Sequence, residues 1–208
     1  MARNSRLFIV RFRHIVLLIL SFTVVSCASP PPSNVELNSN QHQMQLAQLQ
    51  HWQIKGKFGF KSPDDKQSAS LSWLQKQQDY QLSLNTILGT SILSLQGNSS
   101  WVTLVADDTT YQGSSASELI QQITGWTLPI EQLPTWIKGQ SVKTDKVILS
   151  EQGWIAELQP RCTTCRGWQL SYSDYEQVKG IWLPHKIRLE HTVNKVQVTI
   201  KVNSWTIH

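Results

Sequence analysis

From Ile54 onward, apolar and polar side chains alternate with a period of two, the pattern of strands that bury one face. Ile54, Phe58 and Phe60 stand among Lys55, Lys57 and Lys61. Ala69, Leu71 and Trp73 alternate with serines, and Tyr80, Leu82 and Leu84 with Gln81 and Ser83. Ile92–Gln96 and Trp101–Val105 follow, divided by the hairpin signal Gly97-Asn98. The rhythm returns at 146–150, 153–159, 167–175, 180–191 and 194–205, most clearly in Val196, Val198, Ile200 and Val202. Pro63-Asp64-Asp65 and Asp107-Asp108 read as solvated turns. Two regions break the pattern. Val35–Trp52 carries Leu37, Met44, Leu46, Leu49 and Trp52 at helical spacing among Gln and Asn. Ser115–Thr124 reads as a short helix capped by Ser117 and ended by Gly125, and Leu128–Gly139 as an irregular apolar stretch.

These elements predict a mainly β fold of about ten antiparallel strands with a few helices. A sheet of that size with one apolar face must curl and be covered. The helices are few and the apolar residues bulky, so a curved sheet around an apolar cavity is expected, with a filled core as the alternative.

The N-terminus has a different character. Arg3, Arg6, Arg11 and Arg13 precede the apolar run Ile15–Val25. At about 1.5 Å per residue that run covers roughly half of a ~30 Å hydrocarbon core, which suits a signal peptide and not a spanning helix. It ends in Val24-Val25-Ser26-Cys27, which resembles a bacterial lipobox. The resemblance implies cleavage before Cys27 and acylation of that residue. Several acyl chains anchor stably where one does not. In the enterobacterial lipoproteins that this segment resembles, Asp after the cysteine favours inner-membrane retention, so Ala28 implies the outer membrane. The expected organisation is a signal at 1–26, an acylated Cys27 with a Pro/Ser tether at 27–35, and one domain at 36–208.

The formal charge of +5 contains the signal's four arginines. Without residues 1–26 the balance is +1, which lacks the basic surplus of a nucleic-acid binder. Cys162-Thr163-Thr164-Cys165 admits a local disulfide, a metal half-site or a redox pair. No further ligand pair or βαβ setting accompanies it, so a structural disulfide is expected. The histidines are scattered, and no nucleophile elbow, phosphate loop or metalloprotease motif occurs. Neither catalytic residues, a metal nor a cofactor is assigned. Asn85-Thr86-Ile87-Leu88-Gly89-Thr90 places two aliphatics between strands, where loops are normally polar. Ile87 and Leu88 either protrude or fold back onto the core.

The order of several pieces resembles the LolB family of outer-membrane lipoprotein receptors. These are the lipobox, Trp52-x-x-x-Gly56, Asn85-x-x-Leu88-Gly89-Thr90, Trp101–Val105, and Leu119-x-x-x-Ile123-Thr124-Gly125. Pro129-Ile130, Trp136-Ile137-x-Gly139 and Ile200-x-x-x-x-Trp205 complete the series. The resemblance implies an unclosed half-barrel with a helical lid over an apolar cavity. It implies a non-enzymatic, lipid-anchored monomer at the periplasmic face of the outer membrane. Such a protein takes acylated lipoproteins from the periplasmic carrier LolA and inserts them into the inner leaflet. A protruding-loop leucine important for insertion maps onto Leu88. Trp73, Leu82, Leu84, Trp101, Trp126 and Trp136 are expected at the cavity or its lid. Thr86-Ile87 departs from the Asn-Pro of many members, and Cys162/Cys165 carries no family role. An envelope-assembly scaffold with a filled core and a periplasmic hydrolase are the competing functions.

Overall fold

A computed structural model describes residues 37–208; the signal, Cys27 and the tether lie outside the described residues. Helix α1 (Ser39–Gln48) comes first, followed by strands β1 (His51–Lys61), β2 (Lys66–Lys76), β3 (Asp79–Asn85), β4 (Ser91–Gly97), β5 (Val102–Ala106) and β6 (Thr109–Gly113). Helix α2 (Ala116–Thr124), a 3-10 turn at Ile130–Gln132 and the short helix α3 (Leu133–Trp136) cross the sheet. Strands β7 (Lys146–Leu149), β8 (Ile155–Gln159), β9 (Trp168–Val178), β10 (Ile181–His191) and β11 (Val196–Ile207) complete it.

The eleven strands form one antiparallel sheet in the order β6-β5-β4-β3-β2-β1-β11-β10-β9-β8-β7. The end strands β6 and β7 do not pair, so the sheet is open. It is also strongly curved. Leu93 of β4 and Leu189 of β10 line one small cavity, although five strand spacings, about 24 Å in a flat sheet, lie between those strands. The concave face holds the core. Alternate residues point into it, as in Phe58 and Phe60, Leu71 and Trp73, Leu93 and Leu95, and Ile187 and Leu189.

The pairing of β1 with β11 depends on a bulge. Lys55 pairs with Ser204 but Gly56 with Val202, leaving Asn203 as the extra residue. The extra residue shifts the parity of β11. Val198, Ile200 and Val202 face inward, and so do Trp205 and Ile207. A Cβ on Gly56 would run into the Lys201 carbonyl, so this position requires glycine. Trp205 then packs edge-on against Trp52 at 5.5 Å between ring centres, and Trp52 lies 5.2 Å from Trp73.

Several sequence expectations need correction. Strand β6 was not foreseen; its burial pattern has no apolar alternation to read. Helix α1 is shorter than Val35–Trp52, because Trp52 already belongs to β1. Ser115, and not Ser117, caps α2, its hydroxyl accepting from the Glu118 N–H at 3.2 Å. The irregular stretch 128–139 contains a 3-10 turn and α3.

The helices are fastened by polar bonds that the alternation does not announce. Lys138, buried, donates to the Leu46 and Leu49 carbonyls at 2.8 and 3.0 Å, closing the C-terminus of α1. Leu37 N–H donates to the Gln152 carbonyl, holding the start of α1 to the β7–β8 turn. His42 on α1 meets the Trp182 carbonyl of β10 through Nε2 at 2.8 Å, while its Nδ1 is buried without a partner. Burial lowers the His42 pKa from 6.5, outweighing the opposing bond to Trp182. The unfolded chain therefore takes up a proton that the fold resists. The stability from neutral His42 is fully present above about pH 6.5 and is lost as pH falls through the lowered folded value. Chemical denaturation between pH 7.5 and 5 should show this loss, and His42→Gln should flatten the dependence.

Candidate functional site

One apolar cavity lies between the concave face and the covering segment. Trp73, Leu82, Leu84 and Trp126 line it, together with residues that the sequence reading did not single out. Those include Leu71, Leu93, Leu95, Ile120, Ile130 and Leu133. Their common signal is inward parity on β2 and β4, or a lid position facing the sheet. No polar group lines this cavity, so it offers burial without hydrogen bonds. Its volume is about 40 Å³, room for roughly three waters at about 10–15 Å³ each and far short of an acyl chain. In this closed form the core is nearly filled.

The cover is α2 followed by residues 126–137. Gly125 ends α2 at φ +75°, a left-handed conformation that glycine adopts without strain. Trp126 then turns its ring onto the sheet. It stacks on Phe60 at 4.3 Å and on Phe58 at 5.9 Å between centres. Its indole N–H donates to Asp65 Oδ2 at 3.2 Å. Asp65 is therefore more than a solvated turn residue; the turn after β1 supplies the acceptor that latches the cover. Trp136 is buried within the covering segment and does not line the cavity. Trp101 is a clear correction. It is 47% exposed, because Val102, Leu104 and Ala106 take the inward positions of β5 and leave Trp101 on the outer parity.

The turns divide into two sets. The β1–β2, β3–β4 and β10–β11 turns share one end of the sheet with the Asp65 latch; the β2–β3 and β4–β5 turns lie at the other. Ile87 and Leu88, at the β3–β4 turn, are 93% and 94% exposed. The turn is held in shape. Thr86 N–H donates to the Thr90 carbonyl, Gly89 N–H to the Thr86 carbonyl, and Thr90 N–H to the Thr86 hydroxyl, at 2.9–3.1 Å. Gly89 sits at φ +89°. A bulge opposite Leu84/Asn85 leaves Ile92 also exposed beside the turn.

At the β8–β9 connection Cys162 and Cys165 are disulfide-bonded, with Cα atoms 5.1 Å apart. Cys165 is buried, so the bond pins a short loop to the sheet. Among the described residues, no group of three or more His, Cys, Asp or Glu is placed to hold a metal.

The family model of outer membrane lipoprotein LolB matches residues 50–205. The chain belongs to the LolB family. It is 31% identical to the outer-membrane lipoprotein LolB of Aeromonas hydrophila over 88% of this chain and 91% of that protein. For the LolB protein of Vibrio cholerae the identity is 32% over the same shares. Among solved structures, a LolA superfamily protein from Nitrosomonas europaea shares the fold, with a TM-score of 0.54 at 8% identity, covering 83% of this chain and 94% of that one. A putative outer membrane lipoprotein-sorting protein domain from Vibrio parahaemolyticus also gives 0.54, at 9% identity over 82% and 91%. LolB membership assigns the chain to outer-membrane lipoprotein localisation, as an outer-membrane lipoprotein. No described helix is long and apolar enough to cross a membrane.

The latch generates a prediction. One hydrogen bond contributes about 1 kcal/mol, a roughly fivefold change in lid opening. Asp65→Ala and Trp126→Phe should each speed uptake of N-phenylnaphthylamine into the cavity by about that factor. The double variant should be no faster than either single one. Additive acceleration would show that the two residues do not act through their shared bond.

Proposed function

We propose that this protein receives mature lipoproteins from the periplasmic carrier LolA by taking their acyl chains into the apolar cavity, and inserts them into the inner leaflet of the outer membrane. The observation that carries this reading is the wholly apolar cavity under a cover latched to the β1–β2 turn by an indole–carboxylate bond. Burial stabilises an acyl chain by about 0.8 kcal/mol per CH₂, so a chain crossing water unshielded would cost on the order of 10 kcal/mol. A receptor needs only to bind more tightly than the carrier and less tightly than a bilayer. Differences in burial supply that order without a nucleotide or a covalent step.

The closed volume means that the cover must move to admit a chain. Gly125 and Gly139, both at positive φ, flank the part that would swing. Ile87 and Leu88 supply the contact with lipid. Burying both would stabilise a membrane encounter by roughly 3–6 kcal/mol, enough for contact and too little for permanent insertion. The acyl anchor on Cys27 keeps the domain near that surface. Scaffolding with a permanently filled core is the second reading, favoured by the small closed volume.

Depletion of the protein should leave outer-membrane lipoproteins accumulated on the soluble carrier; undisturbed delivery would overturn the proposal. Leu88→Glu should still accept cargo from the carrier while delivery to vesicles falls at least tenfold, about the cost of placing one charge where an aliphatic entered lipid. Unchanged delivery would remove Leu88 from the mechanism.

A further inference from the structure

A second cavity of about 300 Å³ opens at the end of the sheet opposite Leu88. It adjoins the apolar cavity, because Trp73, Leu82, Leu95 and Ile130 line both. The rest of its wall is mixed, with Val102, Ala116 and Pro134 beside a set of polar side chains. Gln75 comes from the end of β2, Gln77 and Gln78 from the β2–β3 turn, Asn98 from the β4–β5 turn, Tyr80 from β3 and Glu131 from the covering segment. The lining holds no lysine or arginine. Lys138, in the groove beside it, is committed to the Leu46 and Leu49 carbonyls.

Two features of this wall are unusual. The Tyr80 hydroxyl is buried and has no hydrogen-bond partner among the described residues. Leaving such a group unpaired is costly, and a carbonyl oxygen arriving beside it would remove the cost. Glu131 is fixed in place, its carboxylate accepting from the Ser115 hydroxyl at 3.1 Å, the Ser117 N–H at 2.9 Å and the Ser117 hydroxyl. Burial works to raise the Glu131 pKa, but these bonds outweigh it and hold the carboxyl below its usual range, so it stays anionic. Gln75 is likewise set, accepting from the Trp73 indole at 3.2 Å and donating to the Gln77 carbonyl at 2.8 Å.

We infer that this mouth binds the polar end of a diacylated cysteinyl peptide and rejects phospholipid, its chains lying in the adjoining apolar cavity. The inference rests on the acyl-chain reading above. Tyr80 donates to an ester or amide carbonyl of the head, and the neutral amides offer partners to peptide N–H and C=O groups. An acyl-chain cavity alone cannot tell a lipoprotein from a phospholipid, since the chains are alike. The mouth can, because a phosphate there would face Glu131 with no cation to pair it.

The test uses the mature protein loaded with N-phenylnaphthylamine. A synthetic diacylglyceryl-cysteinyl peptide and phosphatidylglycerol with the same chains compete for it. The wild type should favour the lipopeptide by at least about tenfold. Tyr80→Phe should weaken the lipopeptide about three- to tenfold, the range of one hydrogen bond, with binding of the hydrocarbon probe unchanged. Glu131→Gln, which retains one acceptor oxygen for the Ser115 hydroxyl and the Ser117 N–H and offers an N–H to the Ser117 hydroxyl, should leave the lipopeptide unchanged and admit phosphatidylglycerol at least threefold better, a modest fraction of a like-charge penalty. Equal competition by the two lipids, or a Tyr80→Phe variant indistinguishable from wild type, would overturn the inference while leaving the acyl-chain reading intact. Failure of both lipids to displace the probe would overturn the acyl-chain reading and this inference with it.

Discussion

An open antiparallel sheet with one apolar face cannot stand alone in water, and most of this molecule answers that constraint. Curling brings strands as distant as β4 and β10 to the same cavity. The remaining apolar surface is covered by α1, α2 and residues 126–137, which bury Leu46, Leu119, Ile120, Leu133 and Trp136 among others against it. Such a cover is held partly by this packing, Trp126 on Phe60 included. It depends on individual polar bonds, Trp126 to Asp65, Lys138 to the end of α1, and His42 to β10. On the proposed reading the sheet is the fixed partner and the cover the part that moves to let a ligand enter and leave.

Much of the sheet was legible in the sequence because alternation is local. Each pair of neighbours reports which face it joins, and the faces of β1, β2, β3 and β11 read directly. The reading failed where parity is set from elsewhere. Trp101 looks like a core aromatic, but Val102, Leu104 and Ala106 already hold the inward places on β5. Trp205 and Ile207 point inward only because Asn203 is extruded opposite Gly56, a pairing made across the whole length of the domain. Strand β6 has no apolar signature; it is ordered by pairing with β5 and by α2 packed beside it.

The site was legible by composition and not by contact. Trp73, Leu82, Leu84 and Trp126 could be named as bulky apolar residues of the right parity, yet nothing local joins Asp65 to Trp126 sixty-one positions later. For the same reason Tyr80 was read only as one apolar position of its strand, and Glu131 was not singled out. The 86–90 turn, left open between protruding and folding back, is resolved by its own hydrogen bonds. Thr86 supplies a donor, a carbonyl and a hydroxyl to the turn, which leaves Ile87 and Leu88 no route back to the core.

The two ends of the cavity differ in kind. One carries amides, a phenol and a carboxylate among its apolar residues and is open between the β2–β3 and β4–β5 turns; the other is sealed by Trp126 next to the turns that include Leu88. Any amphiphile seated there is oriented, with its head held back among the amides and its chain ends against the indole. If the seal parts as proposed, the chain ends would be first to leave, on the side where the exposed leucine stands. Handover would then have a sequence in time, tails before head, set by wall chemistry without any motor. A molecule loaded the other way round would meet the wrong solvent at both ends.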